Sequence, residues 1–256
     1  PEQFMQKQNI DARIGHEVVG IWPAEAKVVI RDLAGGREYD EPYDHLLLAM
    51  GASSVRLELP GVDAQGIYGM ASIDDARTVR GTLERDRPKR AVIVGGGYVG
   101  LEMAEALMRW DVEVSIVGRA PQLMRNLDPD MSGLVSEALT KMGVHLCLGE
   151  AATAFEQTSG RVSAVVTGER TLPAGMVILA TGIRPNAGLA TEAGIDIGST
   201  GAIRVDDHLR TSMERVWAAG DCAETIQLVT GEPYWMSSAT LASKQGRVVG
   251  TNITGG

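Results

Sequence analysis

Val92-Ile93-Val94-Gly95-Gly96-Gly97-Tyr98-Val99-Gly100 decides the fold of this chain. An apolar strand runs straight into Gly-x-Gly-x-x-Gly, and the helix-forming run Leu101-Glu102-Met103-Ala104-Glu105-Ala106-Leu107 follows. Gly95 allows a tight turn. Gly97 has no Cβ, so the backbone can approach a pyrophosphate. Gly100 lets the helix pack close to the strand. Phosphate oxygens would then face unpaired N–H groups at a helix N-terminus, where the dipole favours negative charge. Taken alone, the pattern also fits a glycine-rich turn in some other α/β protein. The strand before it, the helix after it and a second strand, Glu113-Val114-Ser115-Ile116-Val117, make it a dinucleotide fingerprint.

The end of that second strand bears on the choice of nucleotide. An acidic residue is expected there, roughly 20 residues after the glycine turn, to hold the ribose 2′-OH of NADH. Here the strand ends in Gly118-Arg119. Glycine offers no carboxylate to bond the hydroxyl or to repel a 2′-phosphate. Arg119 can bind that phosphate through a charge-assisted contact, and Arg125 is close enough in sequence to help. The reading is therefore NADPH over NADH. The plain alternative is a solvated loop arginine, with NADH held by the remaining contacts.

Outward from this unit, the chain divides into three parts. Residues 1–72 carry short strands at Val18–Ile21, Lys27–Arg31 and Arg37–Tyr39, with turns at Pro23-Ala24 and Gly35-Gly36. A short buried strand, Leu46-Leu47-Leu48-Ala49-Met50-Gly51-Ala52, ends in glycine, and Pro60-Gly61 is a turn. Residues 73–200 open with a charged helix that begins at Ser72, then hold the glycine unit. They continue with a helix near Asp130–Met142, a strand at Val144–Leu148, an antiparallel stretch across Phe155–Leu172 and the strand Met176–Leu179. Residues 201–256 hold strands at Ala202–Val205 and Val216–Ala219 and a helix near Thr240–Ile253. Strands alternating with helices predict an α/β, doubly wound, Rossmann-like parallel sheet.

At 256 residues the chain has room for one or two domains and a substantial core. Its formal net charge of −9 argues against a nucleic-acid surface, which needs clustered Lys and Arg. No run approaches the roughly 18 apolar residues of a membrane span, and no leader pattern suggests export. Two cysteines, Cys147 and Cys222, make no disulfide framework. A cytoplasmic location is the expectation.

Two further glycine strings end apolar strands: Ala180-Thr181-Gly182, and Ala219-Gly220-Asp221 after Thr211–Ala218. The second puts a carboxylate at a strand's carboxyl edge, where open α/β sheets bind ligands. It can accept hydrogen bonds from a sugar or ribityl chain, or simply cap a turn.

The order Tyr43–Ala52, Gly95–Gly100, Ala180-Thr181-Gly182-Ile183-Arg184-Pro185-Asn186 and Thr211–Asp221 resembles the FAD-dependent pyridine nucleotide–disulfide oxidoreductases. Within them it is most similar to the coenzyme A disulfide reductase and NADH oxidase/peroxidase branch. Pro1-Glu2-Gln3-Phe4, His16–Ile21 and Lys244-Gln245-Gly246-Arg247 add to the likeness, which spans essentially the whole chain. The resemblance implies an internal fragment. It would lack the family's N-terminal FAD phosphate loop, its redox cysteine and its C-terminal dimerisation domain. It would hold a partial FAD-binding domain over 1–72, an NAD(P)H-binding domain over 73–200 and the closing segment of the FAD domain over 201–256.

The resemblance also implies residue roles. Gly95, Gly97, Tyr98, Val99 and Gly100 line the nicotinamide-dinucleotide site. Tyr98 matches a tyrosine that covers the flavin and moves aside for nicotinamide; otherwise it is an aromatic packed at a helix start. Glu102, one turn on, matches a position near the nicotinamide; a solvated helix glutamate is the plain alternative. Ala180, Thr181 and Gly182 match a backbone wall beside the nicotinamide. Asp221 matches the FAD ribityl contact, and Val18, Ala49 and Gly51 match positions on the FAD adenine side. Met50, Ser237-Ser238 and Ser243 depart from the family's usual threonine, Pro-Leu and asparagine.

Cys147 sits mid-strand and reads as a small core residue, and Cys222 follows Asp221 without a redox role. His16, His45, His145 and His208 show no metal-ligand spacing, and no metal is expected. No catalytic residue is expected in this chain.

In the intact enzyme, the resemblance implies hydride transfer from NADPH or NADH to FAD. Electrons then pass to a CoA-type disulfide, or in the alternatives to peroxide or oxygen, in a homodimer. A non-catalytic nucleotide-binding fragment and a flavin-free NAD-dependent dehydrogenase are the rival readings. The chain alone is expected to be inactive and to bind FAD weakly or not at all. It is expected to be monomeric or to self-associate through apolar surface such as Leu46–Met50.

Overall fold

A computed structural model describes residues 10–255, so Pro1-Glu2-Gln3-Phe4 lie outside the described residues. The chain forms two compact units, Pro1–Ala52 with Pro185–Gly256, and Ser53–Arg184.

The first unit begins with an antiparallel meander of β1 (His16–Trp22), β2 (Lys27–Asp32) and β3 (Glu38–Pro42). Ile21, Val28 and Ile30 point inward. The tight β1–β2 connection is a 3-10 turn at Pro23–Glu25. A short strand, β4 (Leu46–Leu48), follows, and the chain leaves through β5 (Ala52–Ser54).

The second unit runs β6 (Ile67–Gly69), α1 (Ile73–Asp86), β7 (Arg90–Val94), α2 (Tyr98–Met108), β8 (Glu113–Gly118), α3 (Pro129–Lys141) and β9 (His145–Leu148). It ends with β10 (Ala152–Thr158), β11 (Arg161–Thr167), β12 (Thr171–Pro173) and β13 (Met176–Leu179). Helix α1 starts where the side chains dictate. The Ser72 hydroxyl accepts from the Asp75 N–H at 3.1 Å, and the Asp75 carboxylate accepts from the Ser72 N–H at 2.9 Å. This capping box satisfies two donors that a helix start leaves open.

Five strands form a parallel sheet in the order β6-β13-β7-β8-β9. Its central strands are apolar on both faces because both are covered. Ala91, Ile93, Val114, Ile116 and Ile178 pack against Leu83 of α1, Ala104 and Leu107 of α2 and Leu139 of α3. Val92, Val94, Val117 and Val177 pack against Phe155, Val162 and Val165 of the antiparallel β10–β11–β12 sheet.

After β14 (Ile183–Pro185), the first unit resumes with α4 (Gly188–Glu192), β15 (Val216–Ala218), β16 (Thr225–Ile226), β17 (Pro233–Tyr234) and α5 (Ala239–Ile253). β15 pairs in parallel with β4, register Leu48↔Ala218.

Compact-unit boundaries fall at 52/53 and 184/185, not near 72 and 200. The physical reason is pairing and packing. β6 pairs with β13, Ile67↔Val177, which draws residues 53–72 into the second unit. Ala187, Ala190 and Ile195 pack with Ile21, Val28 and Ile30, which draws residues 187–200 into the first.

Two strand expectations are corrected. Ala202–Val205 is no strand; only Ile203 bridges, to Ile197 and Ala223. Gly198 and Gly201 flank a turn there, and the Glu224 carboxylate holds Thr200 through its N–H at 3.0 Å and its hydroxyl at 2.7 Å. The strand expected over Leu46–Ala52 stops at Leu48, because Gly51 turns the chain at φ +67°. In it Leu48 is buried, whereas Leu47 is 38% exposed.

Candidate functional site

The carboxyl ends of β7, β8 and β13 gather one group of expected site residues. β7 runs out at Val94, and the Gly95 N–H donates to the Val117 carbonyl at 2.8 Å. The Ala180 N–H donates to the Val94 carbonyl at 2.8 Å, so the three strand ends lie side by side. Each glycine of the turn has its own reason. Gly95 has φ +122°, and a Cβ there would lie 2.0 Å from the Ala180 carbonyl oxygen. A Cβ at Gly100 would lie 2.1 Å from the Gly95 carbonyl oxygen, because α2 packs onto the turn. A Cβ at Gly97 would meet nothing within 4 Å. Gly97 is the N-cap of α2 and carries no side-chain cap, so no capping side chain takes up the first N–H groups of the helix. That combination suits an anion.

Tyr98 and Val99 open α2 and are exposed, Tyr98 at 63%. Glu102 is exposed one turn later on the same helix. Thr181 and Gly182 are tied down by residues just after β5. The Thr181 hydroxyl donates to the Val55 carbonyl at 3.0 Å, and the Val55 N–H donates to the Gly182 carbonyl at 2.9 Å. Ala180-Thr181-Gly182 is thus held by backbone and side-chain hydrogen bonds beside the turn.

The residues expected at a ribose end, Gly118 and Arg119, lie at the end of β8 and in the loop after it. Gly118 is buried, and its carbonyl accepts from the Glu150 N–H at 3.0 Å. A Cβ at 118 would meet Leu148 Cδ2 at 3.2 Å, so a larger side chain needs Leu148 to move. Arg119 and Arg125 are exposed, and neither takes part in a hydrogen bond or ion pair among the described residues.

A second group lies in the first unit. β4 and β15 end together: the Ala219 N–H donates to the Leu48 carbonyl at 3.0 Å. Ala49 and Gly51 on one side and Asp221 on the other therefore share one strand edge. A three-point clamp holds Asp221. Its carbonyl accepts from Trp235 Nε1 at 2.8 Å, one carboxylate oxygen accepts from the Ser238 N–H at 3.2 Å, and the other accepts from the Ser237 hydroxyl. Val18 comes from another part of the same unit. It lies in the β1–β2–β3 sheet opposite Ile30 and is 37% exposed.

Sequence reasoning missed several positioning residues. Gln245, buried in α5, accepts from the Gly220 N–H at 2.7 Å and so fixes the turn that bears Asp221. It lies within Lys244–Arg247, where similarity alone pointed. Gln245→Ala is expected to cost about 1–3 kcal/mol, the penalty of an unpaired buried donor. Urea unfolding measures it, and a loss below about 0.5 kcal/mol would contradict this role. The Asn186 amide donates to the Met50 carbonyl at 2.8 Å, bracing the loop after β4. Asp206, Asp207 and His208, all exposed, bring side-chain ligand atoms within 4.8 Å of one another. Asp206 there accepts from the His208 and Arg210 N–H groups at 2.9 and 2.8 Å, an ordinary carboxylate-capped turn.

Both cysteines are buried. Desolvation raises both thiols above the ordinary range. The Cys222 thiol donates to the Leu48 carbonyl at 3.3 Å. Neither thiol is expected to react with a maleimide until the protein unfolds, as mass spectrometry would read. Because the folded thiols ionise later than unfolded ones, their contribution is full below about pH 8.5 and is lost as pH rises above it.

With this geometry in place, relatives become informative. Residues 2–246 match the pyridine nucleotide-disulphide oxidoreductase family, and the chain belongs to it. It is 39% identical, over its whole length and 56% of the relative's, to an NAD(P)H sulfur oxidoreductase (CoA-dependent) of Pyrococcus abyssi. An NAD-dependent persulfide reductase from A. fulgidus superposes with a TM-score of 0.96 at 36% identity, covering 100% of this chain and 47% of that one. The reduced Bacillus anthracis CoADR-RHD gives 0.96 at 30% identity, covering 99% and 45%. The chain spans about half the length of these relatives. No helix among the described residues is long and apolar enough to cross a membrane.

Proposed function

We propose that this chain is the nicotinamide-nucleotide-binding part of a flavoprotein that passes hydride from NAD(P)H through FAD to a CoA-type disulfide. The observation that carries the reading is the Gly95–Gly100 turn, whose helix N-terminus carries no side-chain cap and whose Gly97 has no atom within 4 Å of where a Cβ would lie. In this reading the N–H groups of Gly97–Gly100 hold the pyrophosphate. Arg119, with Arg125, holds the ribose phosphate of NADPH. Ala180-Thr181-Gly182 forms the wall for the nicotinamide, with Tyr98 and Glu102 on the facing helix.

The first unit fits a flavin on one point that its own atoms supply. Asp221 is held by donors on both carboxylate oxygens, yet a carboxylate has lone pairs for further donors, as a ribityl chain requires. Asp221 would hold that chain, with Ala49 and Gly51 at the same strand edge and Val18 toward the adenine. When bound, FAD supplies two-electron acceptance from the nicotinamide and delivery onward. The chain's own residues would bind and orient the cofactors.

The likeness to CoA-dependent and persulfide-reducing relatives supports a sulfur acceptor. Both thiols of this polypeptide are buried, which supports reading it, by itself, as a nucleotide-binding module. Fluorescence titration of the purified chain is expected to show saturable NADPH binding. The same chain, supplied with FAD, is expected to give no NADPH-dependent CoA-disulfide reduction. Absence of nucleotide binding overturns the binding role, and turnover overturns the module reading.

A further inference from the structure

The crest of the site is bridged by two side chains. The Asn126 side-chain amide donates to the Tyr98 hydroxyl at 3.1 Å. Tyr98 is the first residue of α2, on the glycine turn after β7, while Asn126 belongs to the loop after β8. β7 and β8 are neighbours in parallel register, Val94↔Val117. In an open α/β sheet the ligand enters between such strand ends. A dinucleotide with its pyrophosphate on α2 and its adenosine half at the end of β8 must cross the gap that this bridge spans.

Around Asn126 the loop is anchored. The Met124 N–H donates to the Gly96 carbonyl at 2.8 Å, and Met124 is held at φ +47°, a conformation uncommon for such a side chain. Leu123 is fully buried, and its carbonyl accepts from the Ser132 hydroxyl at 2.7 Å. Gln122 Nε2 donates to the Leu127 carbonyl at 3.0 Å. A Cβ on Gly96 would meet Leu123 Cδ2 at 2.6 Å, so turn and loop already touch. Yet the Tyr98 ring and Asn126 stay exposed. Loop and turn are fixed, and the exposed side-chain bridge is the part free to open. It is adjacent in sequence to Arg125, one of the two arginines at the ribose end.

We propose that Asn126 is a positioning residue that latches Tyr98 across the dinucleotide path, and that the entering nucleotide breaks this latch. The proposal rests on the nucleotide-binding reading above. Binding then includes the loss of one intramolecular hydrogen bond. Removing either partner removes that loss and frees the ring beforehand. A hydrogen bond of this kind corresponds to an equilibrium factor of about two- to tenfold.

The test is stopped-flow NADPH binding to the whole chain, followed by nucleotide fluorescence, for wild type, Asn126→Ala, Tyr98→Phe and the double variant. Thermal melts accompany each, since both residues are exposed and the fold is expected to hold. Each single variant is expected to tighten NADPH by about two- to tenfold, mainly in the association rate, and the double variant to go no further. Unchanged or weakened binding in both single variants, or fully additive effects, overturns the latch while leaving the nucleotide site intact. Failure of the wild-type chain to bind either nucleotide overturns the underlying reading and the latch with it. A structural role for Asn126 alone would lower the melting temperature without this non-additivity.

Discussion

Gly100→Ala and Gly95→Ala are expected to destabilise the second unit by about 2–4 kcal/mol, whereas Gly97→Ala is expected to leave its stability unchanged within about 0.5 kcal/mol. The new methyl group at 100 would lie 2.1 Å from the Gly95 carbonyl oxygen and 3.4 Å from Ile93 Cγ2, so backbone must move. At 95 the clash is with the Ala180 carbonyl at 2.0 Å, and the φ of +122° adds strain of its own. At 97 a methyl group meets nothing within 4 Å, and the φ of −91° suits any residue. The same methyl group projects into the space assigned to the pyrophosphate. Gly97→Ala is therefore expected to weaken NADPH by about tenfold or more while melting like wild type. Melting curves and nucleotide titrations on the same samples decide it. Equal damage to stability at all three positions would show that the glycines serve packing alone.

Arg119→Ala is expected to weaken NADPH by about ten- to a hundredfold and to change NADH by less than about threefold. The 2′-phosphate is a dianion near neutral pH, and a guanidinium can meet it with charge-assisted, bidentate hydrogen bonds. Arg119 is exposed and uncommitted, and the neighbouring Gly118 supplies no carboxylate to compete. The preference is also expected to shrink with added salt, because an exposed contact is screened as the Debye length falls from about 10 Å at 0.1 M to about 3 Å at 1 M. Titration of both nucleotides at two ionic strengths checks this. If NADH binds wild type as tightly as NADPH, and the substitution weakens neither selectively, the assignment fails.

Much of the second unit was legible in the sequence because its constraints are local. The helix after the glycine turn was expected from the run beginning at Leu101 and starts at Tyr98. The strand expected at Glu113–Val117 is β8, one residue longer. Ser72 announces α1 through its own cap. The antiparallel stretch expected across Phe155–Leu172 is β10–β12. The first unit was less legible. Its strands β4 and β15 are short, and their partners lie far apart in sequence. Ala202–Val205 has a strand-like apolar pattern but is captured by Glu224, whose role is invisible without the turn that it holds.

By itself, then, the sequence determined the fold class, the glycine turn between β7 and α2 and the family, because each depends on residue types at short, fixed spacing. It also marked Arg119 beside a residue without a carboxylate. Tertiary structure alone decided which of these residues share an edge. It placed Ala180 against Gly95, Gln245 beneath Gly220 and Asn126 upon Tyr98, across separations that no periodicity reports. It also moved the unit boundaries to Ala52 and Pro185, since a strand belongs with the sheet that takes up its backbone hydrogen bonds.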